Sequence, residues 1–149
     1  MRFDTDVKSR DVLLVDDSPG DVMLVREAMG ALELSSQLHV VENGVEALRF
    51  LAQEDEYADR PRPDIILLDL NMPKMSGTEV LERIKTDPRW KNIPVAVLTT
   101  SDSEDDVERC YELSANCYIV KPMDIASFHA VIGAIDAFWL SHVELPVKH

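Results

Sequence analysis

At 149 residues, with 46% apolar and 29% charged side chains, the chain has the size and composition of one soluble globular domain, without room for a second of ordinary size. The 28 Asp and Glu against 15 Lys and Arg leave a formal charge of −13, which argues against nucleic acid as a direct ligand, because a phosphate backbone asks for a cationic surface. No run approaches the ~18 uninterrupted apolar residues of a membrane span, and the opening "MRFDTDVKSR" lacks the apolar segment of a secretory leader, so the expectation is a cytoplasmic protein.

Residues 1–10 read as a solvated lead-in. The first strand is expected at 11–15, "DVLLV", ending in Asp16 and Asp17. "SPGD" then offers Ser18 as N-cap, Pro19 as first helical residue and Asp21 in the first turn of a helix over 19–32. A second strand at 38–41 turns through "ENG" into a helix over 44–54, followed by a polar loop, 53–63. The third strand, 64–68, is strongly apolar and breaks abruptly at Asp69, with Asn71, Pro73 and Gly77 close behind and a helix over 77–86. After a second polar loop at 87–92, the fourth strand, 94–98, leads to Thr99 and Thr100, and the acids of "SDSEDDVE" suit the positive end of a helix over 103–114. The fifth strand, 116–120, runs into Lys121, and a last helix is expected over 124–141.

Five repeats of short apolar strand and longer helix predict a doubly wound α/β sandwich with a parallel sheet buried on both faces. In such a sheet Asp16, Asp17, Asp69, Thr99, Thr100 and Lys121 all stand at carboxyl ends of strands, along the edge where open α/β sheets bind ligands. Carboxylates gathered there repel one another unless a proton or a cation sits among them, and a set of hard oxygen donors suits Mg²⁺ better than zinc or copper. Asn71 could add a backbone carbonyl oxygen. Lys121 and Thr99 could neutralise and hydrogen-bond a phosphoryl group, with Asp69 as its nucleophilic acceptor. The two cysteines, Cys110 and Cys117, lack metal or redox spacing and read as reduced thiols; His39, His129, His142 and His149 form no ligand cluster.

With "LLVDDS", "IILLDLNMPKMSG", "VAVLTTS" and "CYIVKP" in place, and with Thr99 and Lys121 lying 30 and 52 residues after Asp69, residues 11–140 resemble the receiver domain of two-component response regulators. The resemblance implies a flavodoxin-like five-stranded sheet of order 2-1-3-4-5. It also implies a phosphoacceptor at Asp69 supplied by a histidine kinase, and Mg²⁺ held by Asp17, Asp69 and the Asn71 carbonyl with Asp16 acting through water. It implies a switch in which Thr99 and Tyr118 reorient and alter the face of the fourth helix, fifth strand and fifth helix. It implies, too, a cis Lys121–Pro122 peptide. Thr100 departs from the Ala or Gly common beside the switch hydroxyl, which bears on water access and the lifetime of the phosphorylated state.

A narrower likeness, carried by "EYADRPRPDIILLDLNMP", "TTSDSEDDVERCYELSANCYIVKP" and "FWLSHVELP", is to the stand-alone regulators paired with bacterial phytochromes. That likeness implies a phytochrome-type kinase as partner and a homodimer. From Ile125 to Leu140 the last helix is apolar except for Ser127 and a narrow stripe of His129, Gly133 and Asp136. Phe138, Trp139, Leu140 and Val143 then extend an apolar surplus into residues 141–149, an expected interface tail. The alternative is a haloacid-dehalogenase-like phosphatase built on the same Asp69 nucleophile. It wants an acid two residues further on, where Asn71 stands. A flavodoxin-type flavin carrier would meet charge repulsion at "DDSPGD".

Overall fold

The computed structural model describes residues 10–32 and 36–142, the side chains of 140–142 excepted. Five strands, β1 (Asp11–Val15), β2 (Gln37–Val41), β3 (Ile65–Leu68), β4 (Val95–Thr99) and β5 (Cys117–Val120), form one parallel sheet in the order β2-β1-β3-β4-β5. Between and after them run α1 (Pro19–Ala31), α2 (Gly44–Leu51), α3 (Gly77–Thr86), α4 (Glu104–Glu112) and α5 (Ile125–Ile135). The doubly wound, flavodoxin-like architecture is the expected one.

Side-chain alternation along the strands divides the core in two. Leu13, Val15, Ile66, Leu68, Val95 and Val97 point to the face covered by α2, α3 and α4, where Phe50, Leu81, Ile84 and Cys110 are buried. Val12, Leu14, Ile65, Leu67, Ala96 and Leu98 point to the other, covered by α1 and α5 through Val25, Ala28, Phe128 and Ile132. Each fully buried Leu, Ile or Phe contributes about 1.5–3 kcal/mol, so both faces are needed to offset the chain entropy lost in folding. Each of the helices α1 to α5 starts with a side-chain cap: Ser18, Asn43, Ser76, Ser103 and Asp124 each accept from the backbone N–H three residues on.

Cys110 and Cys117 are free thiols. Burial, reinforced by the charge of Asp106, pushes Cys110 up to about 11. At pH 8 its thiolate should be about a hundredfold scarcer than that of an ordinary cysteine. Native alkylation with iodoacetamide, followed by mass spectrometry, should label Cys110 slower by at least that factor than in the urea-unfolded chain.

Several local expectations are revised. The Lys121–Pro122 bond is trans, there being no cis peptide among the described residues. Trans is the favoured form even before proline, and with it the Lys121 N–H still reaches Thr99 O at 2.7 Å to prolong the β4–β5 pairing. The last helix is regular only to Ile135 and continues as a π-helical segment, Asp136–His142. Its narrow stripe of His129, Gly133 and Asp136 is half-buried: a Cβ on Gly133 would lie 3.3 Å from Leu32, and Asp136 accepts from Ser36 Oγ at 3.3 Å. The solvent side of α5 is instead apolar and small, because α1 packs on the stripe. The 87–92 loop, polar in sequence, turns Trp90 into the core beneath the Arg89 guanidinium, 4.2 Å above the ring. The 53–63 loop folds against α2 as Arg49 bridges Glu46, Asp55 and Glu56 at 3.0, 2.9 and 2.6 Å. Residues 1–9 of the expected lead-in and 143–149 of the expected tail lie outside the described residues.

Candidate functional site

The sheet order changes direction between β1 and β3, so chain segments far apart in sequence leave the sheet side by side there. Backbone pairing runs one residue past each strand: Asp16 N–H donates to Val41 O (3.1 Å), Asp69 N–H to Val15 O (3.0 Å) and Lys121 N–H to Thr99 O (2.7 Å). The main chain thus sets three charged side chains before any of them interacts. Asp16 and Asp69 are 2% and 7% exposed, Lys121 7%, and Thr99 fully buried. Asp17 is exposed at the rim.

Lysine binds the cluster together. Lys121 Nζ donates to Asp16 Oδ2 at 2.8 Å, to Asp21 Oδ2 at 2.7 Å and to Asp69 Oδ2 at 3.3 Å. Burial pulls its pKa down, but the hydrogen bonds to Asp16 and Asp21 and the charges of Asp16 and Asp69 outweigh it, and the net shift is upward. Asp16 is raised above the ordinary value of 3.8 chiefly by burial, against the opposing hydrogen bonds from Lys121 and the Ser18 N–H. Ligand oxygens of Asp16, Asp17 and Asp69 lie within 4.8 Å of one another, the one group among the described residues with the spacing to hold a metal ion. Three hard oxygen donors, two of them buried, fit Mg²⁺ or Mn²⁺. The Asn71 N–H approaches Asp69 Oδ1 at 3.4 Å, and Asn71 itself is exposed at the start of the β3–α3 loop.

That loop leaves no slack. A Cβ on Gly77 would lie 2.3 Å from Asp69 O and 2.6 Å from Leu70 Cα, both backbone atoms that cannot step aside, while the Gly77 N–H donates to Leu70 O at 2.9 Å. Gly77→Ala is therefore expected to destabilise the domain by about 1–3 kcal/mol, an effect that chemical denaturation measures.

Beyond Thr99, the Tyr118 hydroxyl donates to Ser101 O at 2.8 Å and the Ser101 hydroxyl to Asp106 Oδ2 at 2.5 Å, tying β5 to the β4–α4 loop and α4. Thr99 Oγ1 receives a long contact, 3.5 Å, from the Ser101 N–H, and Thr100 is exposed next to it. Along α5, Phe138 is exposed and Trp139 half-buried against the α1–α5 side of the core, the two rings edge-on at 5.2 Å. The side chains of Leu140 and Val143 lie outside the described residues. Asp21 is the member of the cluster that sequence reasoning did not assign to the site. Its first-turn position explained it as a helix-dipole acid, and only the fold shows its carboxylate on Lys121.

A parallel 2-1-3-4-5 sheet with buried acids and a lysine at its switch point defines a receiver-type signalling domain. The chain belongs to the response regulator receiver domain family, whose model matches residues 12–133. It is similar to the response regulator Rcp1 of Synechocystis sp., 46% identical over 135 residues that cover 91% of this chain and 92% of that protein. It is 37% identical over 129 residues to the probable methanogenesis regulatory protein FilR2 of Methanothrix harundinacea, covering 87% and 83% of the two chains. Among solved structures, the phosphorylated cyanobacterial phytochrome response regulator RcpA superposes with a TM-score of 0.89 at 44% identity, over 94% of this chain and all of that one. The Mn²⁺-bound form of Rcp1 gives 0.86 at 45%, over 93% and 99%.

Proposed function

We propose that this protein accepts a phosphoryl group on Asp69 from the phosphohistidine of a sensor kinase and relays the signal through the α4-β5-α5 face, without catalysing turnover of a separate substrate. The observation that carries this reading is the single ammonium of Lys121 placed on both Asp16 and Asp69 in a buried acidic notch. An Asp69 carboxylate oxygen attacks phosphorus as the bond to the kinase imidazole breaks; the imidazole keeps that electron pair and takes up a proton. Asp16, Asp17, Asp69 and the Asn71 carbonyl would hold Mg²⁺, which supplies charge neutralisation for the phosphoryl oxygens. Lys121 binds one of those oxygens, and the Thr99 hydroxyl donates to another. As Thr99 turns, the Tyr118–Ser101–Asp106 connection transmits its movement to α4 and β5.

The partner best supported is a phytochrome-type histidine kinase, since RcpA is a phytochrome response regulator and the likeness spans nearly the whole chain. A cytoplasmic location fits such a partner and the two free thiols. Acetyl phosphate with Mg²⁺ should add one phosphoryl group, lost on chelation, and phosphotransfer profiling against phytochrome-type and other sensor kinases should show fastest transfer from the former. Hydrolysis of many small phosphate esters, with no stable adduct, would overturn the reading.

The same face supports a homodimer. Val120, Met123, Ile125 and Phe138 are exposed, Met123 fully so, around the small exposed residues Ala126, Ala130, Ala134 and Ala137. Such an apolar area is uncommon on a monomer, and Trp139, Leu140 and Val143 would extend it. Phe138→Glu should weaken self-association at least tenfold in sedimentation velocity while leaving the circular dichroism spectrum unchanged.

A further inference from the structure

Three protons of the Lys121 ammonium meet three carboxylates, and the shortest contact, 2.7 Å, is to Asp21 rather than to the phosphoacceptor at 3.3 Å. An amine so placed has no free proton for a phosphoryl oxygen, so one partner must be given up when Asp69 becomes an acyl phosphate. Asp16 is poorly suited to release it, because its side chain is 2% exposed and water cannot take the place of the ammonium there. Asp21 is well suited: its side chain is 29% exposed on the first turn of α1, and water takes over the carboxylate at little cost.

We propose that Asp21 is a positioning residue for Lys121, an exchangeable carboxylate that holds the ammonium at the α1 side of the notch and that an incoming phosphoryl oxygen must displace. The inference rests on the function proposed above and deepens it by naming what regulates that site. It has two consequences of opposite sign. While Asp21 neutralises part of the ammonium charge, Asp16, Asp17 and Asp69 stay more attractive to a divalent cation. By occupying the lysine, Asp21 also weakens the hold of the notch on a phosphoryl group.

The test is calorimetric titration of wild type, Asp21→Asn, Asp21→Glu and Glu79→Gln, first with Mg²⁺ alone and then with beryllofluoride at saturating Mg²⁺, alongside thermal melting without ligand. Asp21→Asn is expected to bind Mg²⁺ about three- to tenfold more weakly and beryllofluoride about three- to tenfold more tightly. Asp21→Glu should lie close to wild type. Glu79 occupies the same first-turn position of α3 and meets no lysine among the described residues, so Glu79→Gln, which removes an equal helix-dipole charge, should move neither affinity. Asp21→Asn affinities within twofold of wild type, or both weakened together with a fall in melting temperature, would overturn the role of Asp21 while leaving phosphoacceptance standing. Failure of wild type to bind beryllofluoride would overturn that function and this inference together.

Discussion

Asp69→Asn is expected to abolish acyl-phosphate formation without weakening the fold. Asparagine keeps the size and planar shape of the side chain but offers an amide, whose lone pairs are far poorer nucleophiles, so adduct formation should fall by at least ~100-fold. The same change removes one negative charge from a notch in which oxygens of Asp16, Asp17 and Asp69 lie within 4.8 Å of one another and a single lysine balances them. Relief of that repulsion offsets the loss of the 3.3 Å contact to Lys121, and the melting temperature should be unchanged or higher. Intact-mass spectrometry after incubation with acetyl phosphate and Mg²⁺ reads the first effect, calorimetry the second. A variant that loses both adduct and stability would mean that Asp69 is a structural acid.

Lys121→Met is expected to act in the opposite way on stability. The lysine is 96% buried at its side chain and contacts Asp16, Asp21 and Asp69. Its removal leaves two buried carboxylates facing each other without a counterion, at a cost of about 3–5 kcal/mol, or roughly 10 °C of melting temperature at this chain length. Because its folded-state pKa is raised, the lysine's contribution is complete below its ordinary value of 10.5 and fades only as pH rises through the higher folded value. At neutral pH the full deficit should therefore appear. It should shrink in acid, where the uncompensated carboxylates of the variant take up protons, and Mg²⁺ should recover more stability in the variant than in wild type. Thermal melts from pH 4 to 9, with and without Mg²⁺, test this; equal Mg²⁺ effects in both proteins would contradict it.

The two variants share a cause, since one ammonium balances several acids that the fold forces together. That placement costs stability in the resting molecule, and the proposed phosphoacceptor role of Asp69 draws on it.

Much of this was legible in one dimension. Apolar runs of four or five residues ending in Asp16, Asp69, Thr99 and Lys121 are strands because only a sheet buried on both faces tolerates side chains apolar at every position. Ser18 and the serines and acids of "SDSEDDVE" mark helix starts by an interaction that spans three residues, and all five helices start within a residue of the expected position, whereas α2 and α5 end three and six residues short of theirs. Strand-end chemistry follows from the same local logic, because parallel connectivity sends every carboxyl end to one edge.

What the linear chain left open are relations between faces and between atoms. Trp90 lies in a polar stretch, and only the closing of α2 and α3 over it creates the buried space that it fills. His129, Gly133 and Asp136 form a polar stripe whose neighbour, α1, appears only in the fold, since periodicity ranks the faces of a helix but does not say which neighbour each one meets. Asp21 is sequence-local to a helix cap and spatially a partner of Lys121, 100 residues away. Short-range rules acting over three or four residues thus determined the elements, the edge and the candidate acids. The ammonium's allocation among Asp16, Asp21 and Asp69 was decided by distances of 2.7–3.3 Å, which arise only when separate segments are held in register by the sheet.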